Sequence, residues 1–164
     1  MSLALRSPVP ITSAAELSVW WAEVLSEPDA PGRALSLQWL DSAGCRIGRV
    51  LSISGITAQP DPGVIGFVRQ LRDMMVSESG TPAHLALALS RSGRSSATRS
   101  DREWATVLKA AFDADDQVSW SLHVATDRWI TTVVEPPAEK FDARRIARRP
   151  PSILLDRDWL VDQN

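Results

Sequence analysis

Hydrophobic residues recur in the first half of the chain with two different periods. Leu17, Trp20, Trp21, Val24 and Leu25 fall on one helical face. Ser13 and Glu16, just before them, have the spacing of a capping box. A first helix is predicted over 13–27, stopped by Pro28 and the Pro31-Gly32 pair. Leu35, Leu37 and Trp39 then alternate with polar or small residues, as in a strand with one buried face. After the turn residues Asp41-Ser42-Ala43-Gly44, a second strand runs through Ile47, Val50, Leu51 and Ile53. Its alternation slips at Gly48 and Arg49, which suggests a bulge. Segments 34–40 and 45–54 are therefore expected to form an antiparallel hairpin.

The helical period returns after Gln59-Pro60-Asp61-Pro62-Gly63, with a stripe of Val64, Phe67, Val68, Leu71, Met74 and Met75 ending at Gly80 and Pro82. A third strand is predicted over 84–90, with Leu85, Leu87 and Leu89 on one face and the hairpin beside it. Residues 91–99 form a polar loop of Ser, Gly and Arg. A third helix is read with Ser100 and Glu103 as its capping pair, burying Trp104, Val107, Leu108 and Ala111. A fourth strand carries Val118, Trp120, Leu122 and Val124, and a turn at Asp127 leads to a fifth over 130–134. The order α-β-β-α-β-α-β-β predicts an α/β fold, a central mixed sheet flanked by three helices. One domain is expected over 1–135. Beyond Glu135-Pro136-Pro137, a polar, proline-rich extension over 136–164 includes an apolar docking segment, 153–161.

Composition changes this picture little. The chain has 164 residues, a hydrophobic content of 44% and a formal net charge of −2, as for one ordinary globular domain. That charge gives no general attraction to nucleic acid or anionic membrane, and no apolar run approaches bilayer length. The first ten residues do not read as a secretory signal, so a cytoplasmic protein is the simplest expectation. A single cysteine, Cys45, excludes an internal disulfide and a multi-cysteine metal site. Seven tryptophans stand beside no tyrosine, and Trp20, Trp21, Trp39, Trp104 and Trp120 are the expected large core fillers.

One stretch carries a recognisable frame. The third strand ends in Ala88-Leu89-Ser90, followed by Arg91-Ser92-Gly93, four loop residues and Thr98-Arg99-Ser100-Asp101. In spacing this resembles the RadC-like branch of the JAB/MPN metal-dependent peptidases. There the strand ends in His-x-His, a Pro-Ser-Gly loop follows, and Ser-x-x-Asp opens the next helix. In that family the two histidines and the aspartate hold zinc, and a glutamate on an early strand is the general base for the zinc-bound water. Ser92 and Gly93 match the family's Ser-Gly, Thr98 its Ser and Asp101 its Asp. His123, on the following strand, lies near a position where such proteins often carry a histidine. The resemblance covers roughly residues 33–126 in element order.

The departures bear on chemistry. Ala88 and Ser90 stand where both histidines belong, and no glutamate occurs between Arg33 and Ile56. The resemblance thus implies a metal-free pseudoenzyme without cofactor, acting as a protein-binding or scaffolding module. Seven tryptophans and two apolar helices are a large load for a small domain, so a homodimer is expected over a monomer. The alternative is a small metal-independent enzyme, or an accessory factor that binds an anion or nucleic acid, using loop 91–102. Candidate binding residues are Arg91, Ser92, Gly93, Arg94, Arg99, Asp101, Arg102 and His123. Four arginines beside a helix N-terminus suit an anionic ligand, and substituting Arg91 and Arg94 is expected to leave stability nearly unchanged. The bland readings are a solvated arginine loop, Asp101 as a helix cap, and His84 and His123 as hydrogen-bonded structural histidines. Cys45 lacks an activating neighbour. No phosphate-binding loop, dinucleotide fingerprint or serine-nucleophile elbow occurs. The acidic balance makes a dedicated nucleic-acid protein the weaker reading, despite arginine pairs at 144–145 and 148–149.

Overall fold

The computed structural model describes residues 9–26, 32–79, 82–94, 96–114 and 118–137. Their elements follow the expected order: α1 (Ala14–Val24), β1 (Ala34–Asp41), β2 (Arg46–Ser54), α2 (Pro62–Ser79), β3 (Pro82–Ser90), α3 (Arg99–Phe112), β4 (Ser119–Ala125) and β5 (Ile130–Val134). The five strands form one mixed sheet in the order β2-β1-β3-β4-β5. Only β3 and β4 are parallel, and α3 supplies the crossover that parallel neighbours need. The expected docking segment 153–161 lies outside the described residues, as does nearly all of the extension.

Alternation along β3 divides the core in two. Leu85, Leu87 and Leu89 pack with Ile65 and Val68 of α2 and with Trp104, Leu108 and Phe112 of α3. Ala86 and Ala88, on the opposite face, join Leu40, Ile11, and Leu17 and Trp21 of α1. Trp21, Trp39, Trp104 and Trp120 are buried as expected, while Trp20 is half-buried.

The expected slip in β2 is present. Leu37 pairs with Leu51 but Trp39 with Ile47, and Gly48 takes a φ of 69°. The buried Gln38 side chain donates to the Ile47 carbonyl at 3.0 Å, satisfying backbone at the irregularity. Gly44 is required for a second reason: any Cβ there would stand 2.0 Å from the Ile11 carbonyl oxygen, because the lead-in to α1 crosses the hairpin turn.

Two helical faces differ from their predicted stripes. On α2, Ile65, Val68 and Arg72 are the buried positions, whereas Phe67 and Met74 are exposed. The Arg72 guanidinium lies over the Phe112 ring, 5.3 Å from its centroid, so its stem and face occupy core-facing space. On α3, Phe112 is buried and Val107 is exposed. The caps also shift. Ser13 does cap α1, accepting from the Glu16 backbone N–H, but the Glu16 carboxylate takes the Thr12 N–H and hydroxyl instead of the Ser13 N–H.

Candidate functional site

The start of α3 is built around Asp101. Thr98, in extended backbone, is the N-cap, and Thr98 and Asp101 form a reciprocal capping box. This corrects the Ser100–Glu103 expectation. Ser100 already lies within the helix and its hydroxyl donates to the Ala58 carbonyl, while Glu103 pairs with Arg99.

Asp101 is fully buried and its acceptor sites are filled. Its Oδ2 accepts from Arg91 Nη2 at 2.7 Å, Thr98 N at 2.8 Å, Thr98 Oγ1 at 2.9 Å and Arg91 Nε at 3.0 Å. Its Oδ1 accepts from Arg91 Nε at 3.1 Å and from Arg33 Nη1 at 3.3 Å. Burial pushes this carboxyl up, but the bonds from Arg91 and Thr98 and the charge of Arg91 outweigh it and hold the group below the usual carboxylate range. Two guanidinium groups on one carboxylate leave a net positive centre.

That arrangement does not fit a zinc ion. Ala88, where the resembled pattern has its first histidine, is fully buried under α1 and has no donor atom. Ser90 offers only a hydroxyl, and Asp101 already faces two cations, Arg91 and Arg33. Among the described residues no group of three or more His, Cys, Asp or Glu side chains is placed to hold a metal ion.

The four loop arginines do not act together. The Arg91 side chain is 7% exposed and turned onto Asp101, so the expectation that its removal leaves stability unchanged is corrected: it is an internal ion-pair partner. Arg99 is exposed and pairs with Glu103, and Arg94 and Arg102 are exposed. Asp101 itself occupies the helix N-terminus that an outside anion would use. Ser92 and Gly93 are exposed, and Gly93 is clasped to the β4–β5 turn: its N–H donates to Asp127 Oδ2 at 2.9 Å and its carbonyl accepts from Asp127 N at 3.2 Å.

The two histidines part company. His84 Nδ1 lies 2.7 Å from Ser119 Oγ and its Nε2 2.9 Å from Ser121 Oγ, a satisfied structural histidine as expected. His123 is fully buried, and neither ring nitrogen reaches a partner within hydrogen-bond geometry, although the Leu87 backbone lies close enough to favour the charged ring; the ring thus falls short of the hydrogen-bonded reading made for both. Burial pushes its pKa down to about 4, opposed only in part by the Leu87 backbone. It pairs with Ala88 across β3 and β4, far in kind from a metal ligand set. The Cys45 thiol is pushed up by burial and by Asp41, the opposite of an activated nucleophile.

Three features escaped the sequence. Arg33 reaches Asp101 across 68 positions, which no local pattern encodes. The Thr98-x-x-Asp101 capping box lies two residues before the expected Ser100–Glu103 pair, although Asp101 itself is an expected cap. A cleft of about 700 Å³ opens between α1 and the β4–β5 turn, with Ser90, Arg91, Ser92, Arg128 and Trp129 in its lining. Its one local sign is the turn residue Asp127. Compared with protein-family models, with curated proteins and with solved structures, the chain gives no significant match.

Proposed function

We propose that this chain is a catalytically inactive JAB/MPN domain of the RadC-like kind, serving as a protein-binding module. The observation that carries the reading is the ion pair of Asp101 with Arg91 and Arg33. In the resembled family a metal cation faces this aspartate; here guanidinium groups from the chain itself hold that place. The element order and the antiparallel β1–β3 and parallel β3–β4 pairings support the same frame. With the positive charge built in and both histidine positions lacking nitrogen donors, the domain has no means of activating water on zinc. Its remaining asset is surface, including the cleft beside Ser90 and the exposed Phe67 and Met74 of α2. Titration with cobalt(II), followed by visible absorption, and zinc analysis of protein purified without chelator test the inactive-domain half. The expected result is no tetrahedral cobalt spectrum and far less than one zinc per chain. Stoichiometric zinc lost on Asp101→Asn overturns the reading.

A further inference from the structure

We propose that two copies of this chain pair through the outer face of α2, helix against helix and antiparallel, about a twofold axis beside Gln70 and Leu71. The inference rests on the protein-binding reading above and names the partner of the α2 surface: a second copy.

Helix α2 turns Ile65, Val68 and Arg72 toward the core. Its outer face carries Phe67, 45% exposed, and Met74, 48% exposed. Seven residues apart, these two lie two turns apart along one flank of that face. Arg69 and Asp73, four apart, are exposed on the other flank. Between and beside them is a shallow hollow of about 490 Å³, lined by Gly63, Gly66, Phe67, Arg69, Gln70 and Asp73. Gly66 lies inside the helix, where glycine costs stability relative to alanine. A Cβ there would meet nothing within 4 Å, so the domain's own packing does not call for a glycine. Close approach of a second helix accounts for it.

Symmetry and charge select a second copy as the occupant. In an antiparallel pair related by a twofold axis, each residue meets one equally far beyond the axis, and each flank meets the same flank of the copy. The midpoint of Phe67 and Met74 falls between Gln70 and Leu71, and the midpoint of Arg69 and Asp73 falls on Leu71. One axis therefore sets Phe67 against the partner's Met74 on one flank and Arg69 against the partner's Asp73 on the other, each contact made twice. Sulfur against ring and unlike charge against unlike charge are both favourable. A parallel pair would instead oppose the apolar flank to the charged one. Both charges are open to such contacts. Arg69 makes no ion pair among the described residues. Asp73 accepts from Arg72 at 2.9 Å, yet its side chain is 66% exposed. It has room for a second guanidinium, as Asp101 has for Arg33 and Arg91.

The test is sedimentation equilibrium on the full chain from about 1 µM to about 1 mM, beside Phe67→Ser, Arg69→Glu and Asp73→Arg, each first shown to be folded by a thermal melt. The expected result is a reversible dimer whose dissociation constant rises roughly tenfold or more with each variant. An equimolar mixture of Arg69→Glu and Asp73→Arg should recover the dimer, because in the mixed pair both contacts again join unlike charges. No effect within a single chain produces that recovery. Gln70→Cys, beside the axis, should cross-link to its copy under mild oxidation in a Cys45→Ser background, which decides the matter if a charge variant fails to fold. A chain that stays monomeric at every concentration overturns the inference, whether its α2 face is left in water or covered by residues 138–164. A dimer indifferent to Phe67→Ser, or a mixture of folded charge variants that stays monomeric, overturns it as well. The protein-binding reading survives those results through another partner, and stoichiometric zinc is what removes the inactive-domain reading, so the failures are told apart.

Discussion

On one face of the sheet, β3 presents Leu85, Leu87 and Leu89 to α2 and α3; on the other it presents His84, Ala86, Ala88 and Ser90 to the side covered by α1. The first face is an ordinary close-packed core. The second holds small and polar residues at the same depth: Ser36, Gln38, His84, Ser121 and His123 are all buried. Large side chains stabilise the first face by burial and packing alone. The second needs every polar atom partnered, and its two histidines show both outcomes. His84 has two serines, whereas His123 has none. Stability is thus a matter of volume on one face and of hydrogen-bond completeness on the other.

The largest effect should come from the leucine-rich face. Trp104→Ala removes a fully buried indole and its bond to the Thr57 carbonyl. It should cost about 4 kcal/mol by denaturant unfolding. A cost near that of a surface change would show that α3 is not the core helix described.

The next effect is a pH profile. Unfolded, His123 titrates near 6.5; folded, near 4. Because the folded value is the lower one, the folded state resists protonation. Stability is fully present above about pH 6.5 and falls as the pH drops toward 4, by about 3 kcal/mol in all. Asp101 has the carboxylate pattern: its folded value lies below 3.8, so its contribution is lost only at still lower pH. The variant His123→Leu should flatten the profile between pH 6.5 and 4 and leave neutral-pH stability the same or higher, since it removes two unpartnered nitrogens. A slope that persists in that variant assigns the loss to another group.

The smallest effect sharpens the contrast within the polar face. His84→Leu should destabilise by about 2 kcal/mol at pH 7, because Ser121 loses its ring partner in a buried place. If both histidine variants change stability equally and in the same direction, the distinction between partnered and unpartnered rings fails.

The sequence made the strands legible because alternation is strict. Leu35, Leu37 and Trp39, and Leu85, Leu87 and Leu89, could face only one way, and the slip at Gly48 was visible in the same pattern. Helix α2 was harder. Its apolar residues fill more than one stripe, and Ile65 rather than Phe67 meets the sheet. Local composition does not say which side of such a helix the tertiary packing selects. The position of Asp101 was readable from spacing, but its partners were not. In sequence Arg91 is one of four loop charges, and only the fold turns its side chain inward; Arg33 is brought in by the antiparallel pairing of β1 with β3. Likewise, a histidine flanked by Leu122 and Val124 says it is buried, not whether anything meets its nitrogens.

The most direct test of the account is a double-mutant cycle on the buried pair that stands at the resembled metal position. Asp101→Asn alone should cost about 3–5 kcal/mol, because it leaves Arg91 and Arg33 facing each other without their counter-charge. In an Arg91→Met background the same change should cost less by about 2 kcal/mol or more, and zinc should alter neither figure. Costs that add within about 0.5 kcal/mol, or a zinc-dependent rescue of Arg91→Met, would contradict the claim that an arginine supplies the cation for Asp101.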